Sequence, residues 1–96
     1  MKTVQKARPT YGKVNNANDV GEIIRNFRKS QQVTLDKVSG VTNIGMRFLS
    51  ELERGKETAE LGKALTVINK LGLEVIIQPR GRNQSVLKSD KDNKEE

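Results

Sequence analysis

The segment "VTLDKVSGVTNIGMRFLSELERGK", residues 33–56, contains the pattern that is most informative about the fold. Two short segments with apolar residues at helical spacing are separated by "NIG", residues 43–45, which has the composition of a tight turn. In the second segment Leu49 and Leu52 lie three residues apart, as on the buried stripe of a helix. Met46, Arg47 and Phe48 crowd the start of that segment, which a helix used only for packing would not need. The pattern therefore predicts a helix that faces the core on one side and a partner on the other.

The ends of both short helices are marked by residues with known preferences. Thr34 is a suitable N-cap for a helix over residues 35–42. Asn43 is predicted to end it in the left-handed conformation, because its short polar side chain tolerates a positive φ. The second helix is predicted over residues 46–54, with Gly55 just beyond its end. The first of these helices is expected to bury these residues: Leu35, Val38 and either Val41 or Thr42.

Helices are predicted on both sides of this pair. Asp19 and Glu22 have the spacing of a capping box, which predicts the start of a helix over residues 20–31. Thr58 is the predicted N-cap of a fourth helix that stops at Gly72. The expected apolar face of the first helix consists of Val20, Ile23, Ile24 and Phe27. That of the fourth helix consists of Leu61, Ala64, Leu65, Ile68 and Leu71.

A single β-branched segment follows the fourth helix. "LEVIIQP", residues 73–79, predicts a short strand that ends at Pro79. One strand cannot satisfy its own backbone hydrogen bonds, so we expect it to pair with the same strand of a second copy. The residues expected to make this dimer contact are Glu74, Val75, Ile76, Ile77 and Gln78. The predicted fold is all-α: four helices and one short C-terminal strand that pairs across a homodimer.

The two ends of the chain differ in composition from this domain over residues 18–78. Residues 1–17 contain a proline, a glycine and two asparagines without helical period, which predicts a flexible basic arm. That arm either reaches along a nucleic-acid backbone or is simply solvated. Residues 79–96 are polar and charged without period, which predicts a disordered tail.

The charge of the chain favours a polyanionic partner. The net charge is +6, and residues 90–96 contribute four acidic and two basic residues, so residues 1–89 carry about +8. A soluble protein that is merely basic is the plain alternative. Without Cys or His the chain lacks disulfides, thiolate ligands and the commonest general base, so we expect no metal, no cofactor and no enzyme activity. No apolar run is long enough to span a bilayer, and no signal peptide is visible, so a cytoplasmic protein is expected.

Residues 20–78 resemble the Cro/repressor-type (XRE) helix-turn-helix family, and most of all the HipB-like antitoxins of bacterial toxin–antitoxin operons. The resemblance is carried by "VTLDKVSGVTNIGMRFLSELERGK", residues 33–56, followed by "AELGKALTVINKLGLEVIIQP", residues 59–79. Three positions depart from the family pattern: Asn43 replaces Gly in the turn, Ser39 replaces Ala, and Leu35 replaces a Gln used for a phosphate contact. The last departure leaves that phosphate role to Thr34 and the neighbouring backbone amides.

The second helix of such a motif places its N-terminal residues against base edges in the major groove. Arg47 is the strongest candidate for a bidentate contact to guanine, with a phosphate contact or solvation as the alternative. Glu51 either accepts from a cytosine amino group or orients Arg47. Phe48 either packs within the domain or abuts the DNA backbone. The candidate base-reading positions are Gly45, Met46, Arg47, Ser50 and Glu51. The candidate phosphate contacts are Thr34, Arg54, Lys56 and Lys63, where an ordinary solvated basic face is the alternative for the three cations.

The resemblance carries further expectations about structure and function. It implies a buried salt bridge between Arg28 and Glu53 that fixes the recognition helix. It also implies a nucleoid-associated repressor that binds an inverted-repeat operator of its own operon as a homodimer. As an antitoxin the chain would bind a HipA-like serine/threonine kinase toxin. The alternatives are a transcription regulator without a toxin partner and a dimeric protein–protein adaptor that no longer reads DNA.

Overall fold

The computed structural model describes residues 11–81. Its helices, in chain order, are α1 Ala17–Ser30, α2 Leu35–Thr42, α3 Met46–Glu53 and α4 Leu61–Leu71. Helix α1 packs against α3, and α2 packs against both α3 and α4. Residues 11–81 contain four helices and no strand, so the prediction of a small all-helical domain is confirmed for this part of the chain. None of the helices described is long and apolar enough to cross a membrane.

Helix α1 begins three residues earlier than the sequence predicts. Its N-cap is Asn16, whose side-chain oxygen accepts a hydrogen bond from the backbone N–H of Asp19 at 2.8 Å. The carboxylate of Asp19 in turn accepts from the backbone N–H of Asn15 at 2.9 Å. The prediction that Asp19 caps the helix was therefore wrong, because Asp19 is the returning partner of a capping arrangement that Asn16 starts. The added first turn packs against the loop after α3, where a Cβ on Gly55 would lie 2.8 Å from the Cα of Asn18.

Side chains of α2 fix the turn that leads into α3. Helix α2 has the predicted bounds: Thr34 accepts from the backbone N–H of Lys37 at 3.1 Å, and Asn43 ends the helix with a φ of 62°. The Ser39 hydroxyl donates to the carbonyl of Ile44 at 2.7 Å, and the Thr42 hydroxyl oxygen accepts from the N–H of Ile44 at 3.2 Å. These bonds satisfy the turn's backbone groups and set the direction in which α3 leaves it. Elsewhere on α2, Val41 is exposed and Thr42 is half-buried.

Helix α4 differs from its predicted start and from its predicted buried face. Thr58 does not cap it, because the N–H of Ala59 donates to the Lys56 carbonyl and encloses Thr58 in a turn. The N-cap is Glu60, which makes no side-chain capping bond. Leu61 is 69% exposed and Leu65 is also exposed, whereas Val67, which lay outside the predicted stripe, is 0% exposed. The buried face of α4 is therefore turned toward Val67. Helix α4 ends at Gly72, as predicted, with a φ of 100°.

One core joins the four helices. Its buried apolar residues are Ile24, Val38, Ile44, Leu49, Leu52, Ala64, Val67 and Ile68. Helices α1 and α3 approach most closely at Gly21, where an added Cβ would lie 2.5 Å from the carbonyl oxygen of Leu52 and 2.6 Å from that of Glu53. Real Cβ atoms do not come so close to backbone oxygens, so only glycine fits at this crossing. The end of α3 is thereby held directly on the backbone of α1.

The predicted C-terminal strand is not formed within one chain. Residues 73–80 have no regular secondary structure, and no partner strand for them lies within residues 11–81. Val75, Ile76 and Ile77 are exposed, Ile77 to 94%. Pairing of residues 74–78 with a second copy therefore stays a prediction. Most of the predicted arm and tail, residues 1–10 and 82–96, lies outside the described residues, while residue 17 of the predicted arm begins α1.

Candidate nucleic-acid interface

A buried ion pair fixes the C-terminal end of α3. Arg28 and Glu53 are each 8% exposed. The Arg28 Nε lies 2.7 Å from Glu53 Oε2, and its Nη2 lies 3.0 Å from Glu53 Oε1, so the guanidinium and carboxylate meet along two parallel bonds. The Arg28 Nη1 donates to the Val33 carbonyl at 2.7 Å. A single side chain thus ties α1, the α1–α2 turn and the end of α3 together, which is the arrangement expected for this pair.

The opposite face of α3 points away from the core. Gly45, its N-cap, has no atom within 4 Å of an added Cβ, so the space beside it is open. Met46 is exposed, and the Arg47 side chain is 88% exposed. Ser50 and Glu51, one turn further along, are half-buried. The structure therefore places four of the predicted base-reading residues on the side of α3 that its buried leucines leave free, namely Met46, Arg47, Ser50 and Glu51, and the fifth, Gly45, at the N-cap of the same helix.

Most polar side chains on this face are bonded to one another. Glu51 Oε2 lies 3.3 Å from Arg47 Nε, and Glu51 Oε1 lies 3.0 Å from Lys56 Nζ. The hydrogen bond from Lys56, with a smaller contribution from Arg47, lowers the pKa of Glu51 below its ordinary value. Glu51 is therefore fully ionised at neutral pH. A third contact is a hydrogen bond that Arg54 Nη1 donates to the Ser50 hydroxyl oxygen at 2.6 Å. Three cations and two acceptors, Ser50 and Glu51, are thus bonded to one another along α3 and the following turn.

Phe48 packs within the domain. It is half-buried and lies against the apolar core. The Nζ of Lys63 lies 5.5 Å from the centre of its ring, within the range of a cation–π contact. The structure thus favours the packing alternative for Phe48, and it places Lys63 of α4 beside α3.

Thr34 lies at the N-terminus of α2, next to backbone N–H groups that have no partner within the helix. Its side-chain oxygen accepts from the N–H of Lys37, which leaves the hydroxyl hydrogen as a donor. Exposed N–H groups at a helix N-terminus and a hydroxyl donor are both suited to a phosphate oxygen. Leu35, which replaces the phosphate-contacting Gln of the family pattern, is half-buried and packs against the core.

Sequence reasoning missed two contributors to the geometry of the site. Gly21 sets how closely α1 approaches the end of α3, and nothing in a single sequence marks a helical glycine as a crossing point. The Ser39 hydroxyl bonds to the turn, whereas the sequence identified Ser39 only as a replacement for Ala. A serine five residues before the turn's last apolar residue is a weak signal for such a bond. Within residues 11–81 no group of three acidic, His or Cys side chains is arranged to hold a metal ion.

Comparison with known proteins identifies the family. No family model matches the chain. Over 66 residues, 69% of this chain and 87% of the relative, it is 39% identical to the uncharacterized HTH-type transcriptional regulator y4mF of Sinorhizobium fredii. The chain belongs to the HTH-type transcriptional regulators. It is also 34% identical over 68 residues to the transcriptional regulator ClgR of Mycobacterium tuberculosis, in two strains. It spans 61% of the length of ClgR, and the match covers 69% of this chain.

Membership in this family fits the geometry of α2 and α3. Two short helices joined by a tight turn, with the second anchored at its end and exposed at its start, are the structural form of a helix-turn-helix. The more specific resemblance to HipB-like antitoxins is not addressed by either relative, whose names describe regulators only.

Proposed function

We propose that this HTH-type regulator is a sequence-specific DNA-binding repressor whose recognition helix is α3. The observation that carries the proposal is the division of α3 into an anchored and an exposed side. Glu53 is fixed to Arg28 inside the domain, while the Arg47 side chain is 88% exposed. A rigidly held helix with an exposed guanidinium at its N-terminal end is what base reading in the major groove requires.

The proposed contacts divide into base reading and phosphate positioning. Arg47 pairs with guanine, Ser50 bonds to a base edge, and Met46 packs against a thymine methyl group. Gly45 keeps the start of α3 free of a side chain, so the helix can enter the groove closely. The proposed phosphate contacts are Thr34, Arg54, Lys56 and Lys63. Phosphate contacts of this kind supply affinity and salt dependence, whereas the contacts on α3 supply the choice of sequence.

We propose a homodimer as the form that binds an inverted repeat. The exposed apolar residues 75–77 support it, since three β-branched side chains in water are costly and a second copy would cover them. Residues 73–81 and 11–15 also form the two sides of a groove whose floor contains Val20, Ile23 and Ile68. Antiparallel pairing of residues 74–78 across the dimer would satisfy the backbone of this segment and cover the groove. Two α3 helices would then enter successive major grooves about one helical turn apart.

We further propose that this repressor is the antitoxin of a HipA-like serine/threonine kinase and represses its own operon on the nucleoid. Support comes from the motifs over residues 47–56 and 59–79 and from the basic charge of the chain. The antitoxin role requires a kinase-like reading frame next to this gene. Co-expression with that kinase should give a stable complex on size-exclusion chromatography. Lack of an adjacent kinase gene would leave a transcription regulator without a toxin partner.

Arginine variants test the proposed DNA-reading role of α3. Duplexes are selected from a random pool with the full chain, and their affinities are measured by fluorescence anisotropy. Arg47→Ala is expected to lower affinity for the selected duplex by ~5–150-fold and to lose preference at one base pair. Arg25→Ala, which removes an exposed arginine from α1, is the matched control and should keep the sequence preference. Equal preference in both variants would contradict the assignment of α3 as the recognition helix.

A further inference from the structure

The carboxylate of Glu51 is shared between two cations on the exposed side of α3. One oxygen lies 3.3 Å from Arg47 Nε and the other lies 3.0 Å from Lys56 Nζ. The Arg47 side chain is 88% exposed and the Lys56 side chain is 48% exposed, and ion pairs made by such exposed side chains contribute little to folding. A half-buried acid in the middle of a basic reading surface therefore needs an explanation other than stability.

The contact leaves the reading edge of Arg47 open. A guanidinium has five N–H donors in one plane, and the pair with Glu51 uses the one on Nε. Guanine is recognised by two parallel donors that reach its O6 and N7 atoms. The two terminal nitrogens of Arg47 supply such donors on the edge of the plane away from Nε. Glu51 thus restrains the plane of the guanidinium without competing for the edge that would face a base.

Lys56 makes the carboxylate a fixed support. Its backbone N–H donates to the Glu51 carbonyl at 3.0 Å, in addition to the contact between the two side chains. The Glu51 side chain is consequently held at both oxygens, with one partner in the first turn of α3 and the other beyond its end. An arginine bonded to a fixed support loses less conformational entropy when it binds a base, because part of its freedom is already restricted.

We propose that Glu51 is a positioning residue that orients Arg47 toward guanine and thereby determines the sequence specificity of α3. The proposal rests on the proposed function, in which Arg47 pairs with guanine, and adds to it the role of Glu51 in that choice of base. The negative charge of Glu51 works in the same direction. It repels phosphates on any duplex, and on a duplex with guanine this cost is offset by the oriented contact of Arg47. Glu51 therefore raises the ratio of specific to non-specific affinity.

The test compares two acid-removing variants with a charge-matched control. Duplexes selected by the native chain are measured against the same duplexes in which the guanine opposite Arg47 is replaced by adenine. The guanine position is the one that loses its preference in Arg47→Ala. The native chain should bind the adenine duplex roughly tenfold more weakly. Glu51→Ala should lose most of this discrimination and bind an unrelated duplex more tightly than the native chain does.

Two further variants separate orientation from charge. Glu51→Gln keeps an oxygen that accepts from Arg47 Nε, so it should retain most of the discrimination. Glu57→Ala removes the same charge from an exposed position that makes no ion pair within the described residues, so it should raise affinity for both duplexes equally. Full discrimination in Glu51→Ala, or an equal loss in Glu57→Ala, would overturn the positioning role while DNA binding stands. If the native chain itself selects no sequence, the proposed function has failed as well.

Discussion

Removal of the Glu53 carboxylate should strongly lower the melting temperature of this domain. In Glu53→Ala the Arg28 guanidinium keeps its bond to the Val33 carbonyl but loses both bonds to the carboxylate, at a position that is 8% exposed. Breaking a buried ion pair from one side costs ~3–5 kcal/mol, because the remaining charge is left without compensation. For the 71 described residues a total free energy of unfolding of roughly 4–11 kcal/mol is typical. The variant therefore loses at least about a quarter of the stability.

The loss can be measured by thermal unfolding followed by circular dichroism. In a domain of this size each kcal/mol lowers the melting temperature by ~4–8 °C, so Glu53→Ala should melt at least ~12 °C below the native chain. DNA binding should be weakened in proportion to the unfolded fraction and should recover when both proteins are compared at a temperature where each is folded. This recovery distinguishes a structural role from a direct contact with DNA.

A compensated variant is the control. Arg28→Met combined with Glu53→Leu replaces the pair by apolar groups of similar volume, and such replacements often restore stability. Recovery should be incomplete by ~1 kcal/mol, since the Val33 carbonyl loses its bond from Arg28. A melting temperature of Glu53→Ala within about 2 °C of the native value would contradict a stabilising role for the buried Glu53 carboxylate. Normal stability together with lost DNA binding would show that Glu53 contacts DNA directly.

Three further predictions follow from other features of the structure. Gly21→Ala should lower the free energy of unfolding in urea by ~1–3 kcal/mol through overpacking. Gly40→Ala, where nothing lies within 4 Å of the added Cβ, should raise this free energy by ~0.5–1 kcal/mol, and equal effects of the two substitutions would contradict the close helix crossing. The Glu51 pKa, measured by NMR, should rise toward its ordinary value in Lys56→Met, and an unchanged pKa would show that Lys56 is not the main cause of the shift. In the native chain the contact between Glu51 and Lys56 should be present at pH values above the lowered pKa and lost as the pH falls through it. Ile77→Lys should leave the helical circular dichroism signal intact but shift sedimentation from dimer toward monomer, and an unaltered dimer would exclude residues 74–78 as the interface.

The sequence was most informative where local chemistry determines the structure. Thr34 and Asn43 bound α2 as predicted, because a hydroxyl N-cap and a left-handed asparagine act within a few residues of themselves. Gly72 ended α4 for the same reason. The exposed and buried sides of α3 also followed from spacing alone, since Leu49 and Leu52 determine which way the helix faces.

Tertiary contacts decided the features that the sequence did not predict. Several consecutive residues before α1 are good N-caps, and the choice of Asn16 over Asp19 depends on packing of the added turn against Gly55. Which residues of α4 are buried depends on the surface that the helix packs against. The predicted apolar face therefore included Leu61, which is exposed, and omitted Val67, which is buried. Residues 73–80 form no strand in the described structure, and the pairing of residues 74–78 with a second copy stays a prediction.

The order on the candidate DNA-binding surface could be predicted only in part from the sequence. Spacing places Arg47 and Glu51 one turn apart, which predicts a contact between them. Lys56 lies beyond the helix end, and its place beside Glu51 depends on how the chain turns at Gly55, whose φ is 86°. The support for the arginine therefore became visible only in the folded chain.

Equilibrium binding to two duplexes tests whether α3 reads a DNA sequence. The full chain is titrated into the promoter fragment upstream of its own gene and into a scrambled duplex of equal length, over a series of salt concentrations. We expect affinity for the promoter fragment to be at least ~10³-fold higher, with both affinities falling steeply as salt rises. Equal affinity for the two duplexes at every salt concentration would contradict sequence reading by α3.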